Sequence, residues 1–227
     1  MTPGRVDRLL GTLGDWLLPP RCVLCGLPGQ APAVDLCRDC EEALPVEARP
    51  LAAGPPPLDR CFAPLAYGFP VDHLVQSLKY RGQLAVGRVL GGLLARAARP
   101  LGLHLDVDCL VPVPLHPGRH AERGFNQSAE IARRVARELG CRSTESAVRR
   151  VRATRPQVGL APGARHANIA GAFVAAPGLQ GRRVVVVDDV LTTGSTVAAV
   201  ALALRAAGAA SVDAWCVARA APPERID

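Results

Sequence analysis

Alternation of apolar runs with amphipathic stretches divides the chain from residue 61 to its end. Four runs rich in apolar and β-branched residues predict strands, and they cover residues 61–69, 108–115, 182–190 and 211–219. Between them, the spacing of apolar residues predicts one or two helices over 70–100 and single helices over 126–140 and 196–209. Strands that alternate with helices predict a parallel sheet with right-handed crossovers, so the expected fold class is α/β.

Two of these segments carry more detailed patterns. In the helix over 126–140, Ile131, Val135 and Leu139 share one face, Asn126 is a candidate N-cap and Gly140 a candidate C-cap. Residues 147–175 have no helical period and several turn residues, which predicts an extended, partly mobile excursion. We therefore expect the regular sheet to resume only at 182–190.

The N-terminal part of the chain has a different pattern. Apolar residues at helical spacing predict an amphipathic helix that docks on a partner surface: Val6, Leu9, Leu10, Leu13, Trp16 and Leu17. Asp7, Arg8 and Asp15 interrupt these leucines, which excludes a signal peptide. No apolar run is long enough to span a bilayer, so a cytoplasmic protein is expected.

Eight cysteines fall into two sets. Two C-x-x-C pairs predict a four-thiolate site for a structural zinc ion: Cys22, Cys25, Cys37 and Cys40. Disulfides are the alternative, and a cytoplasmic setting disfavours them. The other four cysteines occur singly and are predicted to be small buried residues: Cys61, Cys109, Cys141 and Cys216.

Residues 44–60 are rich in proline and alanine without a clear period, which predicts a linker. The expected domain organisation is an N-terminal helix with a zinc module over 1–50, a linker over 51–60 and the main domain over 61–227.

The positive charge of the chain is local. The net charge is +7, and residues 115–166 contain eleven arginines against four glutamates. Lys79 is the only lysine among 27 basic residues. A GC-rich genome is one explanation for the arginine bias. The concentration in one stretch favours a polyanionic partner, either a phosphate-bearing small molecule or nucleic acid.

The stretch VVVVDDVLTTGSTV, residues 184–197, places polar residues directly after an apolar strand and before a helix. Ligands of open α/β sheets bind at that position. Hydroxyl-bearing residues surround Gly194 and, with the helix N-terminus, form a candidate cradle for a monophosphate: Thr192, Thr193, Ser195 and Thr196. Asp188 and Asp189 would repel that phosphate, so they are expected to face sugar hydroxyls or a metal ion. The alternative is a polar strand end followed by a turn.

Two other nucleotide-binding motifs are excluded. A P-loop requires G-x-x-x-x-G-K-[ST], whereas Lys79 is followed by Tyr80. A dinucleotide fold requires G-x-G-x-x-G at the start of a helix after a strand, and the chain has no such stretch.

VVVVDDVLTTGST closely resembles the loop that binds phosphoribosyl pyrophosphate (PRPP) in type I phosphoribosyltransferases. The resemblance implies that Asp188 and Asp189 hold the ribose hydroxyls and that residues 192–196 hold the 5′-phosphate, with Mg²⁺ accompanying PRPP. It also implies a twisted parallel sheet with helices on both faces, which would stand beside the small N-terminal zinc-binding module that the cysteine pairs predict.

Several other motifs stand in the order seen in the ComF family of competence-associated proteins: PPRCVLCG, LKYRG, VPVPLHPGRHAERGFNQS, TRPQVGL and ARHANIAGAF. This resemblance covers nearly the whole chain. It implies a cytoplasmic protein of DNA uptake or transformation that handles single-stranded DNA, with competence or recombination proteins as partners.

The remaining candidate residues fall into two groups. Arg119, His120 and Arg123 follow a strand at the position of a pyrophosphate loop, and Lys79 and Arg81 either line the same cleft or simply end a helix. The second group corresponds to the hood that contacts the acceptor or DNA: Arg150, Arg152, Thr154, Gln157, Arg165 and Asn168.

The catalytic residues are unassigned. Some related transferases have a carboxylate in the PRPP loop, where this chain has Thr192, and no acid in 190–196 replaces it. His116, His120 and His166 are conceivable bases. Two alternatives to a ComF-type function therefore remain: an active phosphoribosyltransferase of nucleotide or amine salvage, and a protein-interaction adaptor with a vestigial PRPP site.

Overall fold

The chain forms two compact units in the computed structural model, which describes residues 20–29, 35–152 and 171–221. The first unit is Met1–Leu44 and the second Pro45–Asp227. The amphipathic helix predicted over the first twenty residues lies outside the described residues. Within those residues, no helix is both long and apolar enough to cross a lipid bilayer.

In the first unit, a tight turn leads to a short helix. Arg21 and Pro28 form an antiparallel bridge across the turn, which is closed by bonds from Cys22 N to Leu27 O at 2.8 Å and from Gly26 N to Cys22 O at 2.9 Å. Helix α1 (Arg38–Glu42) begins directly after Cys37. Both C-x-x-C pairs therefore lie on tightly turning backbone.

The second unit is built on one sheet with six strands among the described residues. They are β1 (Leu51–Ala53), β2 (Arg60–Phe62), β3 (Leu65–Ala66), β4 (Cys109–Pro112), β7 (Arg183–Leu191) and β8 (Ser211–Arg219). The order is β1-β2-β8-β7-β4, with β3 also paired to β8. All pairs are parallel except β1 with β2. The predicted α/β class is confirmed, and the antiparallel β1 makes the sheet mixed.

The edge formed by β1, β2 and β3 differs in detail from the predicted pattern. The strand predicted over 61–69 is two short strands that pair with β8 on either side of Pro64, a residue without a backbone N–H to donate. The first residues of the 51–60 segment form β1, because Leu51, Ala52 and Ala53 pair with β2. That part of the predicted linker is therefore a strand of the sheet.

Helices cover both faces of the sheet. They are α2 (Val71–Arg81), α3 (Leu84–Ala98), α4 (Pro117–Arg123), α5 (Gln127–Leu139) and α6 (Ser195–Ala206). The segment 70–100 is two helices, since Gly82 ends α2 with a φ of 65°, a conformation that favours glycine. Asn126 and Gly140 cap α5 as predicted. The short helix α4 was not predicted.

A second, two-stranded sheet joins the two ends of the predicted excursion. Strands β5 (Val148–Arg150) and β6 (Phe173–Ala175) pair antiparallel, whereas residues 153–170 lie outside the described part of the chain. Val148 and Phe173 pack into the same core cluster as Val184 and Val186 of β7. The four valines 184–187 are all at most 2% exposed, so β7 is buried on both faces as its composition predicts.

Candidate functional site

Polar side chains gather at the carboxyl edge of the sheet, where β7 ends. Asp188 and Asp189 are the last polar residues of β7, and α6 begins at Ser195 only four residues after the strand. Strand β4 runs parallel beside β7, and its own carboxyl end leads into α4. Both polar loops therefore lie at the same edge, as in other open α/β sheets that bind ligands there.

Asp189 is buried and forms an ion pair with the only lysine of the chain. Lys79 Nζ lies 2.8 Å from Asp189 Oδ1, and the exposed fractions of the two side chains are 24% and 5%. Burial lowers the pKa of Lys79, but the nearby Asp189 carboxylate outweighs it and raises that pKa above its ordinary value. The pair is thus an ammonium held against a carboxylate at the carboxyl end of β7.

Asp188 is held by neighbouring donors. Its Oδ1 accepts hydrogen bonds from Ser128 Oγ at 2.8 Å and from Asp189 N at 3.0 Å. Burial and the negative charge of Asp189 raise the pKa of Asp188 to about 7. Ser128 lies on α5, two residues after the N-cap Asn126. Its role was missed in the sequence, where FNQS shows only a helix start.

The two carboxylates fit a sugar diol or a hard divalent cation. Asp189 Oδ2 is buried and has no hydrogen-bond partner in the described part of the chain, a condition that costs free energy until a ligand or solvent supplies one. Lys79 balances only one of the two carboxylates. An incompletely neutralised pair of oxygen ligands suits Mg²⁺ as well as ribose hydroxyls.

The turn between β7 and α6 provides hydroxyls and a helix N-terminus. Gly194 has a φ of 74° and directly precedes the helix. The hydroxyls of Thr193 and Ser195 lie 2.6 Å apart, whereas Thr192 is exposed. The first N–H groups of any helix lack an intrahelical acceptor, so this turn can receive a phosphate.

A cleft of about 400 Å³ adjoins the carboxylates. It is lined by Lys79, Tyr80, Gly82, Arg119, Glu122, Arg123 and Phe125. Lys79 belongs both to this cleft and to the ion pair with Asp189, so the cleft and the end of β7 are adjacent. The sequence-based grouping of Lys79, Arg119 and Arg123 agrees with this lining, while Arg81 and His120 are exposed residues outside it.

Arg150, on β5, is a further cationic residue of the predicted hood. Burial lowers the pKa of Arg150 from its ordinary value, and the positive charge of Arg119 lowers it further. Arg150 also lies over the ring of Phe173, 5.6 Å from its centroid. Arg152 is exposed at the end of the described segment. The other hood candidates lie outside the described residues: Thr154, Gln157, Arg165 and Asn168.

Arginines on α5 contribute less to this positive surface. Arg133 pairs with Glu130 and Glu145, and Arg134 pairs with Glu138 at 2.5 Å. Their charges are therefore locally balanced. Arg123, by contrast, bonds to the neutral Gln127 at 2.6 Å, a contact that does not balance its charge.

Neither of the two described histidines that are candidate bases is shown at the end of β7. His116 precedes α4, and its Nδ1 accepts the N–H of Gly118 at 3.2 Å, which is a helix-capping contact. His120 is exposed on α4, and His166 lies outside the described residues.

Replacing Lys79 by methionine should strongly destabilise the fold. Asp189 would then be a buried carboxylate without its cation, a change that costs about 3–5 kcal/mol in comparable buried pairs. Denaturant unfolding measures the free energy. Arg81→Met is the matched control, because Arg81 is an exposed base at the end of the same helix. Equal stabilities of the two variants would contradict the importance of the ion pair.

In the first unit, four thiols converge. The sulfur atoms of Cys22, Cys25, Cys37 and Cys40 all lie within 4.8 Å of one another, and those of Cys25 and Cys37 are 3.6 Å apart. A tetrahedral zinc ion with Zn–S bonds of about 2.3 Å needs sulfur separations close to these. Burial raises the pKa of Cys22, but backbone N–H donors including those of Cys37 and Cys25 outweigh it and lower that pKa to about 6.

The four-thiol cluster therefore fits the structural zinc site that the sequence predicts. Of the single cysteines, Cys61, Cys109 and Cys216 are buried as expected, while Cys141 is only half-buried.

Comparisons with known families agree with this division. The family model of the phosphoribosyl transferase domain matches residues 126–226, and that of the double zinc ribbon domain matches residues 13–52. Together with the sheet and the cysteine cluster, they confirm the predicted fold class, a type I phosphoribosyltransferase-like domain with a zinc-binding N-terminal module.

Curated relatives cover most of the chain. The DNA utilization protein YhgH of Escherichia coli K12 is 36% identical over 223 residues, which is 89% of this chain and 98% of the relative. Its counterpart in Salmonella typhimurium is 38% identical over 202 residues, 87% of this chain and 83% of that one. Competence protein F of Haemophilus influenzae is 34% identical over 157 residues, 66% of this chain and 69% of that one.

Among solved structures, glutamine PRPP amidotransferase from B. subtilis aligns with a TM-score of 0.40 and 23% identity, over 57% of this chain and 25% of its own. Purine phosphoribosyltransferase from Pyrococcus horikoshii aligns with a TM-score of 0.34 and 21% identity, over 57% of this chain and 70% of its own.

Proposed function

The chain belongs to the family of the DNA utilization protein YhgH and Competence protein F, and on this premise we propose a phosphoribosyltransferase-like protein of DNA uptake and utilisation. In this proposal it binds PRPP with Mg²⁺ at the end of β7 and single-stranded DNA at the arginines of the cleft, Arg119 and Arg123. The observation that carries the proposal is the carboxylate pair beside a phosphate-accepting turn.

The residues at the end of β7 have separate parts in binding PRPP. Asp189 supplies the oxygen that has no partner, and Asp188, positioned by Ser128, supplies the second carboxylate for the ribose diol or for Mg²⁺. The turn through Gly194 receives the 5′-phosphate. When bound, Mg²⁺ would neutralise the diphosphate.

Binding is better supported than transfer. A transferase also needs a group that accepts a proton from the incoming nucleophile. Thr192 is exposed where related loops have a carboxylate, and His116 is occupied as a cap. We therefore assign the end of β7 to ligand binding, and we assign no acceptor and no catalytic base among the described residues.

The distribution of charge supports DNA binding. On α5, Arg133 and Arg134 are paired with glutamates, whereas Arg119 and Arg123 bring positive charge to one cleft. Two guanidinium groups in one cleft attract the phosphate backbone of a nucleic acid. Names of relatives that refer to DNA utilization and to competence point to the same ligand.

A salt titration of single-stranded DNA binding tests this assignment. In Arg119→Ala, the slope of log K against log salt should become less steep by about 0.7, the value for one lost phosphate contact on a single strand. Fluorescence anisotropy with a labelled oligonucleotide measures the slope.

Arg133→Ala is the matched control, because the charge of Arg133 is balanced by Glu130 and Glu145. Its slope should equal that of the wild type. If both variants gave the same slope, the DNA would contact another part of the surface.

A further inference from the structure

The cleft beside the carboxylate pair contains an aromatic side chain that the PRPP site does not use. Tyr80, in the last turn of α2, is 76% exposed. Phe125 lines the same cleft next to Gly82, where a Cβ built on the glycine would lie 3.9 Å from Phe125 Cε1. Two aromatic rings and two arginines in one cleft are the residue types that bind flat, charged ligands.

The ring of Tyr80 is held in a defined position. The guanidinium carbon of Arg123 lies 5.6 Å from the centroid of the ring, within the range of a cation–π contact. Arg123 is itself fixed by its 2.6 Å bond to Gln127 Oε1 at the start of α5. Because Tyr80 is 76% exposed although Arg123 covers one face, the opposite face is open to a ligand.

We propose that this cleft binds an unpaired nucleobase of single-stranded DNA, stacked on the open face of Tyr80, with its phosphate on Arg119. This inference rests on the proposed function and names the ligand of its DNA surface. The cleft thus brings a base next to the site assigned to the phosphoribosyl group. Arg123 then serves to hold the stacking ring, and it is not a pyrophosphate ligand.

The charge of the cleft suits one nucleotide. Lys79 is already paired with Asp189, so the remaining charged groups of the lining are Arg119, Arg123 and Glu122. They leave one net positive charge, which matches the single charge of a phosphodiester. A free diphosphate carries more negative charge and would also meet the carboxylate of Glu122.

The shape of the cleft favours single strands. Its volume of about 400 Å³ lies within the ordinary range of small-ligand sites, about 300–1,000 Å³. A base within a duplex is covered on both faces by its neighbours and cannot enter, whereas an unpaired base can turn out of the strand and stack on an aromatic ring.

Paired oligonucleotides test the stacking contact in the full-length, zinc-loaded protein. An oligothymidylate and an oligomer of the same length with abasic sites present the same phosphates, so their affinity ratio measures base binding. We expect the wild type to prefer the oligothymidylate by about tenfold, a typical effect of base stacking on one aromatic ring. Tyr80→Ala should abolish the preference, and Tyr80→Phe, which keeps the ring, should retain it.

A second readout reports the contact directly. The fluorescence of 2-aminopurine in the oligomer should be quenched by the wild type and by Tyr80→Phe but unchanged by Tyr80→Ala. Thermal unfolding verifies that the variants are folded. We expect them to be folded because Tyr80 is exposed.

The outcomes separate this inference from the function on which it rests. If Tyr80→Ala still prefers the oligothymidylate, or if it loses affinity for both oligomers by the same factor, the stacking site is overturned while DNA binding stands. Failure of the wild type to bind either oligomer overturns the DNA assignment and the stacking site together. Neither result bears on PRPP binding, which is measured separately.

Discussion

Replacement of Asp188 and Asp189 together by asparagine should abolish binding of PRPP in the presence of Mg²⁺. In the proposed complex, each carboxylate would make charge-assisted contacts to the diol or the cation, and hydrogen bonds to a charged group contribute about 1.5–3 kcal/mol each. Loss of both should therefore weaken binding by at least about 100-fold. Calorimetric titration of the zinc-loaded protein with PRPP and Mg²⁺ measures the change.

The single variant Asp188→Asn makes the test sharper. The double variant leaves Lys79 without its partner, so part of its effect could come from a perturbed fold. Asp188→Asn retains the pair between Lys79 and Asp189 and keeps an oxygen to accept the bond from Ser128. It should still lose about tenfold or more in affinity.

Asp106→Asn provides the matched control for these titrations. Asp106 is 71% exposed and pairs with Arg183, at the start of β7, away from the end that carries the two carboxylates. Its titration should match the wild type. Binding of PRPP by the double variant with wild-type affinity would contradict the assignment of the two carboxylates. Absence of binding by the wild type would contradict PRPP as the ligand of this loop.

The loop between β7 and α6 could be predicted because its residues are contiguous. Strand β7, the carboxylates, Gly194 and the start of α6 follow one another within residues 183–195, and local sequence dictates both the strand end and the turn. Lys79 could not be assigned to Asp189 in the same way. The two residues are 110 positions apart, and only the tertiary fold brings them together.

The edge of the sheet illustrates a second limit. Strands β1, β2 and β3 have only two or three residues each, too few for a periodic pattern to appear. Proline and alanine in the same region suggest a linker, yet β1 pairs with β2 because the turn between them returns the chain to the sheet. Tertiary pairing therefore outweighs local composition there.

The arginine-rich stretch illustrates a third limit. Composition locates the positive charge between residues 115 and 166 but does not show which arginines are balanced. On α5, partners such as Glu130 and Glu138 lie three or four residues from Arg133 and Arg134, and such spacings are visible in the sequence. Which arginines line the cleft with Lys79, here Arg119 and Arg123, depends on the fold.

The described residues of the first unit contain few buried apolar side chains besides the thiol cluster. The buried hydrophobic side chains among them are those of Cys22, Leu36, Cys37 and Leu44. The unit, Met1–Leu44, is near the size below which a metal or disulfides are usually needed for folding. All eight cysteines are free thiols in the structure, so a metal ion is the available stabiliser.

Replacement of Cys22 and Cys37 by serine should therefore remove the zinc and unfold the first unit. Binding of zinc to four-thiolate sites contributes about 10–16 kcal/mol to folding, more than any other single change considered for this chain. Metal analysis should find one zinc per chain in the wild type and none in the variant. Hydrogen exchange should show loss of amide protection over residues 20–29 and 35–44, while protection in the second unit verifies that the rest of the chain is folded.

Cys141→Ser is the matched control, because Cys141 lies outside the cluster, and it should keep its zinc. A double variant that retained stoichiometric zinc or full protection would refute the structural role of the metal.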